Sequence, residues 1–307
     1  MSSENSSTPL TLADIADEAG TFAIIAMDQR NTLRRMFAAK GIEATTDDLR
    51  QAKVDVAAAL TPNATGILLD PDFGVPAVLA ADALADTCGL LVAAEPSERG
   101  SHNGEPRPHR IPEQNGAWVR AMGGDAVKFL VMMNPARILE PGGPDLVAET
   151  MQVVREVVED CRSAGIPSVI ENLIYPLPGQ GELTPQQRED AIVGSAELLT
   201  TLQPDLLKLE YPGSAAGCRR LAEAVTVPWA VLSAGVDFDT FTEVLRISCD
   251  DGGASGFIAG RALWKETIGM APTERGIFLR EVARPRLVAC REAIAGRARP
   301  WFTVGSR

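Results

Sequence analysis

Histidine is nearly absent from this chain of 307 residues: there are two, His102 and His109, in one polar loop. A catalytic zinc centre usually draws two or three histidines from a scaffold. A His-x6-His pair within one loop reads instead as two solvated side chains, and metal chemistry is not expected. Cysteine is sparse as well. The five thiols, Cys88, Cys161, Cys218, Cys249 and Cys290, are odd in number, scattered and never in CxxC spacing, which speaks against a disulfide framework or a zinc site. Positive charge is in deficit, with 29 Lys and Arg against 41 Asp and Glu and a net charge of −12. Such a chain is not expected to bind nucleic acid or an anionic membrane. An anionic small substrate stays open, because a local cluster of Arg and Lys reverses the field within one pocket. No apolar run reaches the roughly 20 residues of a membrane span. Met1 to Pro9 is polar and Ser-rich, without the basic start and apolar stretch of a signal peptide. The reading is a cytoplasmic protein with a flexible tail over residues 1–9. The tryptophans Trp118, Trp229, Trp264 and Trp301 are too dispersed for a stacking platform and read as packing residues.

What is present is a regular alternation. Apolar runs begin at Phe22, Gly66, Gly89, Ala126, Ser168, Leu206, Pro228 and Ser255, and helical patterns separate them. The helix signals are specific. Thr46-Asp47-Asp48 puts acids in a first turn, and Thr184-Pro185-Gln186-Gln187 combines Pro at the first position with a capping glutamine. Eight short buried strands alternating with helices predict a single (β/α)8 TIM barrel over residues 10–307. Helical spacing over Leu10–Glu18 adds an N-terminal helix, and stretches near Leu263–Ile268 and Thr273–Ala295 add C-terminal ones. A short helix is expected over Val78–Thr87. A doubly wound sheet is the structural alternative, but no GxGxxG follows the first strand. The longest loop, Pro96–Pro112, is a candidate substrate lid or oligomer contact.

In such a barrel the chemistry lies at the C-terminal ends of the strands. Polar residues collect there: Asp28-Gln29-Arg30, Asp70, Glu95, Lys128, Glu171, Lys208, Ser233 and Arg261. Lys208 stands out within Pro204-Asp205-Leu206-Leu207-Lys208-Leu209-Glu210-Tyr211-Pro212, an otherwise apolar strand. A desolvated lysine has its pKa pushed down and becomes a nucleophilic amine able to form a Schiff base with a ketone. The alternative is an ion pair with Glu210 or another carboxylate. Lys128, Glu171 and Lys208 lie on three consecutive strands. Two ammonium groups there repel, which lowers the pKa of one, and a carboxylate between them shuttles protons. The competing reading is a buried charge network that holds the barrel together. After strands seven and eight come Ser233-Ala234-Gly235 and Gly260-Arg261, suited to phosphate through backbone N–H groups and one guanidinium fork. Asp28, Gln29 and Arg30 offer an acceptor, an amide and a cation to sugar hydroxyls, unless Asp28 and Arg30 pair with each other. Asp70-Pro71-Asp72-Phe73-Gly74 reads as a turn first.

Several stretches, in order along the chain, carry a family likeness: Phe22-Ala-Ile-Ile-Ala-Met-Asp-Gln-Arg30, Ile67-Leu-Leu-Asp-Pro-Asp-Phe-Gly74, Asp125-Ala-Val-Lys-Phe-Leu130, Leu206-Leu-Lys-Leu-Glu210, Leu232-Ser-Ala-Gly235 and Gly256-Phe-Ile-Ala-Gly-Arg261. With them the chain resembles the class I tagatose-1,6-bisphosphate aldolases, a family that includes the related sulfofructose phosphate aldolases. The resemblance implies a Schiff-base aldolase with no metal or other cofactor. It puts the imine-forming lysine on Lys208, the acid/base carboxylate on Glu171 and the second active-site lysine on Lys128. It puts phosphate contacts on Ser233, Gly235, Gly260 and Arg261, and sugar contacts on Asp28, Gln29 and Arg30. It implies a small anionic sugar phosphate as partner, and a homo-oligomer. The expected substrate is tagatose 1,6-bisphosphate, with fructose 1,6-bisphosphate beside it and sulfofructose 1-phosphate as the alternative. A metal-dependent lyase on the same fold and a non-catalytic sugar-phosphate sensor are the other readings.

Overall fold

In a computed structural model, which describes residues 8–305, eight parallel strands close into a barrel. They are β1 (Phe22–Met27), β2 (Gly66–Leu69), β3 (Gly89–Ala93), β6 (Ala126–Met132), β7 (Ser168–Leu173), β8 (Leu206–Leu209), β9 (Trp229–Leu232) and β10 (Gly256–Ala259). The order around the barrel is β1-β10-β9-β8-β7-β6-β3-β2. The two remaining strands, β4 (Gly100–His102) and β5 (Glu105–Arg107), form a small antiparallel hairpin inside the long loop before α4. The helices between and after the strands are α1 (Asn31–Ala38), α2 (Thr46–Leu60), α3 (Gly74–Ala80), α4 (Gly116–Ala121), α5 (Leu146–Ala164), α6 (Pro185–Thr200), α7 (Ala215–Ala224), α8 (Phe238–Asp250), α9 (Arg261–Trp264), α10 (Pro272–Phe278) and α11 (Arg284–Ile294). Among the described residues no helix is long and apolar enough to cross a membrane.

Side chains alternate across each strand, so every second residue faces the lumen. Ile24, Ala26, Leu68, Leu91, Ala93, Ala126, Val169, Leu206, Ala230 and Ile258 pack there as one buried cluster, and the outward positions pack under the helices. The same parity carries the next residue on several strands into the mouth. Ala93 leads to Glu95, Ala126 to Lys128, Val169 to Glu171 and Leu206 to Lys208. The apolar layer is therefore the floor beneath the polar one.

Two expected elements differ. The N-terminal segment forms one 3-10 turn, Leu12–Ile15, closed by a Thr11–Asp14 capping box, and Leu12 and Ile15 seal the lumen from below. The helix after β2 is α3, which starts at Gly74 and ends before the 78–87 span is half used. Asp70 explains the early start. Its carboxylate accepts from the N–H groups of Asp72, Phe73 and Gly74, so the helix nucleates directly after the turn. Most of the tail expected over residues 1–9 lies outside the described residues. Of its end, the Thr8 carbonyl accepts from Arg120.

Candidate active site

The β7–β8 register sets Glu171 directly beside Lys208, while Lys128 pairs with Val169 and so lies one layer deeper. From there the Lys128 ammonium reaches up to three carboxylates: Glu95 Oε1 at 2.6 Å, Asp28 Oδ2 at 2.8 Å and Glu171 Oε2 at 2.9 Å. Lys208 Nζ lies 2.9 Å from the same Glu171 Oε2. All of these groups except the partly exposed Asp28 are buried. One carboxylate oxygen thus bridges two lysines.

The electrostatics differ from simple lysine–lysine repulsion. Burial alone would push the Lys128 ammonium down, but Asp28, Glu171 and Glu95 together hold it well above the ordinary lysine value. Burial would raise the carboxyls of Glu171 and Asp28. Lys128 and Lys208 outweigh it and hold both below the usual carboxylate range. Lys208 does not pair with Glu210. That carboxylate accepts from the Ile174 N–H at 2.8 Å and pairs with Arg188. Nor do Asp28 and Arg30 pair with each other. Arg30 bonds Asp72 at 3.0 Å and the Glu95 carbonyl at 2.7 Å, joining the ends of β1, β2 and β3. Gln29 Nε2 donates to Asp28 at 3.2 Å, and Gln29 Oε1 is buried without a partner among the described residues.

Lys208 and Glu171 line two adjoining cavities at the barrel mouth, of about 440 and 290 Å³. Gln29 and Arg261 border both. The larger carries Asp28, Arg30, Arg35, Arg99, Glu95 and Lys128. The smaller carries Ser233, Ala234, Gly260, Arg188 and Glu210. Gly235 does not line either, though it shapes the turn. Its φ is +84°, and a Cβ there would stand 3.2 Å from the Arg261 guanidinium carbon. Gly260 has a different reason: a Cβ would meet the Ala26 carbonyl oxygen at 2.4 Å, so only glycine lets β1 and β10 end this close together.

The structure brings together Lys128, Glu171, Lys208, Asp28, Gln29, Arg261, Ser233 and Gly260. Glu95 belongs to the same cluster, although its strand-end position alone gave it no role. Its parity with Leu91 and Ala93 was the signal. Of the loop cations that could meet the far-end anion, Arg30, Arg99, His102 and Arg107, the larger cavity takes Arg30 and Arg99. Arg188 lies at a helix start with no periodic pattern, so nothing in sequence order points it at the mouth.

The profile of the DeoC/LacD family aldolases matches residues 22–266, which span the barrel from β1 to past β10. A tagatose 1,6-diphosphate aldolase 2 of Streptococcus agalactiae is 28% identical over 282 residues, covering 83% of each chain. Among solved structures, a fructose-bisphosphate aldolase from Plasmodium falciparum superposes with a TM-score of 0.73 at 16% identity, over 94% of this chain and 95% of that one. A Schiff-base-forming fructose-1,6-bisphosphate aldolase gives 0.58 at 15% identity, over 91% and 96%. At these identities the two structures speak to the barrel, and the profile speaks to descent. With the profile covering most of its length, the chain belongs to the DeoC/LacD aldolase family and is a carbon–carbon lyase.

Proposed function

We propose that this protein is a metal-independent class I aldolase that cleaves tagatose 1,6-bisphosphate, and fructose 1,6-bisphosphate beside it, to dihydroxyacetone phosphate and glyceraldehyde 3-phosphate. The observation that carries the reading is Lys208 beside Glu171 at 2.9 Å, in a mouth with arginines in both cavities. In a chain of net charge −12, guanidinium groups gathered at one mouth form a local site for a doubly anionic substrate. The streptococcal relative is named for tagatose 1,6-diphosphate.

The chemistry follows from the positions. Lys208 passes a proton to Glu171, and the free amine attacks the C2 ketone. Glu171 returns the proton to the carbinolamine hydroxyl, which leaves as water and yields the iminium ion. Glu171, directly or through water, then takes the C4 hydroxyl proton. The C3–C4 bond breaks, its electron pair flows into the iminium nitrogen, and the aldehyde departs. Protonation of the enamine at C3 and attack of water on the imine release dihydroxyacetone phosphate and Lys208. Throughout, Lys128 stays protonated with its three donors on Glu95, Asp28 and Glu171, and a substrate oxygen takes one of them only by displacing a carboxylate. Arg261, Ser233 and Gly260 hold the phosphate on C1. Gln29 Oε1, without a partner among the described residues, accepts from a sugar hydroxyl. Arg35 and Arg99 face the anion at the far end.

Borohydride reduction in the presence of dihydroxyacetone phosphate tests this reading: the adduct maps to Lys208, and Lys208→Ala abolishes it together with turnover. An adduct on Lys128 alone would reverse the assignment. Comparative kcat/KM on tagatose 1,6-bisphosphate, fructose 1,6-bisphosphate and sulfofructose 1-phosphate identifies the substrate, and a preference for the last would replace the bisphosphate reading. Turnover unchanged after exhaustive chelation is expected.

A further inference from the structure

Lys53 has no exposed surface, and none of the chemistry above uses it. It sits on α2, outside the barrel wall, among the buried residues Leu49, Ala52, Val56 and Leu60. Its ammonium has three donors and meets three acceptors: the Met27 carbonyl at 2.6 Å, the Gln29 carbonyl at 2.9 Å and Asp70 Oδ2 at 2.7 Å. A desolvated charge held in this way is fully satisfied.

The two carbonyls flank Asp28. β1 pairs with β10 as far as Ile25 and with β2 as far as Met27, so residues 28–30 lie beyond both ladders. Their backbone has to be oriented from outside the sheet, and Lys53 grips it on either side of Asp28. Asp70 braces the grip. The same carboxylate receives the N–H groups of Asp72, Phe73 and Gly74, which sets the turn that offers Asp72 to Arg30. One buried ion pair therefore joins the ends of β1 and β2 behind the site. On the inner side, the gripped segment supplies Asp28 to Lys128 and Gln29 to both cavities. Asp28 is faced by Lys128 from β6, Lys208 from β8 and Lys53 from α2. Glu171 opposes it from β7, and Glu95, after β3, shares Lys128.

We propose that Lys53 is a positioning residue: its clamp on the Met27 and Gln29 carbonyls, braced by Asp70, holds the Asp28–Arg30 segment against Lys128. It thereby sets the geometry in which Glu171 serves Lys208. The proposal rests on the Schiff-base reading above. Burial would raise the Asp28 carboxyl, and Lys53 adds to Lys128 and Lys208 in holding it down. Loosening the clamp therefore makes Asp28 easier to protonate.

Lys53→Met alone strands Asp70 without a counter-charge and threatens the fold. The decisive variant is the pair Lys53→Met with Asp70→Asn, which removes both charges and keeps a side-chain acceptor at the turn. Per folded molecule, measured beside the unvaried chain, kcat falls about 10- to 100-fold because the reacting groups are misplaced. The borohydride adduct with dihydroxyacetone phosphate accumulates more slowly, and the acid limb of kcat/KM moves to higher pH. Asp70→Asn alone leaves Lys53 on both carbonyls but without its counter-charge, and is expected to move that limb less than the double variant does. An unchanged kcat and acid limb in the double variant, with only a lower Tm, would overturn the proposal. So would an equal shift in Asp70→Asn alone, which assigns the effect to the turn. If the unvaried protein forms no adduct, the Schiff-base reading fails; if it does and the double variant turns over normally, the positioning role alone fails.

Discussion

Glu171 Oε2 stands 2.9 Å from both Lys128 and Lys208, and this shared oxygen organises the site. In the proposed reaction Lys128, held as a cation, stabilises negative charge and leaves proton traffic to Glu171. Replacing Glu171 by Gln keeps the side-chain shape and removes the proposed base. A fall of roughly 10²–10⁴ in kcat is expected from steady-state kinetics, with slower adduct formation at Lys208. Replacing Lys128 by Met has a different signature. It leaves Asp28, Glu95 and Glu171 crowded around an apolar group, and breaking a buried ion cluster on one side costs about 3–5 kcal/mol. Urea titration should show that loss together with lost turnover. Lys208 and Glu171 were legible at this scale because a charge within an apolar run is conspicuous. Lys53 was not. It sits four residues after Leu49 on a helix whose other charges, apart from Asp55 beside Arg275, face water, and only its contact with carbonyls distant in sequence explains why it is buried.

At the scale of elements, barrel closure hinges on the β1–β10 seam. Gly256 pairs with Phe22 at φ +138°, and a Cβ there would meet the Phe22 carbonyl oxygen at 2.0 Å. No side chain in that position yields, because the obstacle is backbone. Gly256→Ala is expected to cost roughly 3–5 kcal/mol in urea unfolding. By comparison, Thr45→Ala, which removes the capping box of α2, costs about 1 kcal/mol. Most strands and long helices read well from sequence, since apolar runs and caps are local signals. α2 begins at Thr46 and α6 at Pro185, where the acidic first turn and the Thr184-Pro185-Gln186-Gln187 signal put them. The α3 boundary was not legible, because Asp70 reads as a turn residue until its three N–H partners are seen. The β4–β5 hairpin was also hidden. Its strands are three residues each and polar, and no hydrophobic period marks them.

For the whole molecule, the buried cluster predicts how stability depends on pH. Asp28 and Glu171 have folded values below their ordinary ones. Their contribution is complete above the unfolded carboxylate values of about 3.9 and 4.3, and it is lost as pH falls from there towards the depressed folded values. Lys128, raised, contributes fully below about 10.4 and loses that contribution as pH climbs through its higher folded value. Glu210 and Asp125 are raised chiefly by burial and act in the opposite sense, which softens the acid-side loss. Burial also raises the thiols of Cys88, Cys161, Cys218, Cys249 and Cys290, so above about pH 8.5 they ionise in the unfolded chain first. Urea midpoints should therefore be nearly level from about pH 6 to 8, fall below about pH 4 and fall again above about pH 8.5, and Asp28→Asn should flatten part of the acid-side fall.

The alternation of apolar runs with capped helices carried the barrel, and charges within apolar strands marked Lys128, Glu171 and Lys208, which the fold brings into contact. These are periodic or compositional signals, and they survive without coordinates because each is written over a few neighbouring positions. Closure of the barrel decided the rest. It alone set which carboxylate each lysine meets, gathered Arg35, Arg99 and Arg188 at one mouth, turned Arg30 into a strap between strand ends, and put Lys53 behind Asp28. Those partners lie from 22 to 100 positions apart where their bonds are formed. No local pattern encodes a contact that depends on how eight strands stagger around a common axis.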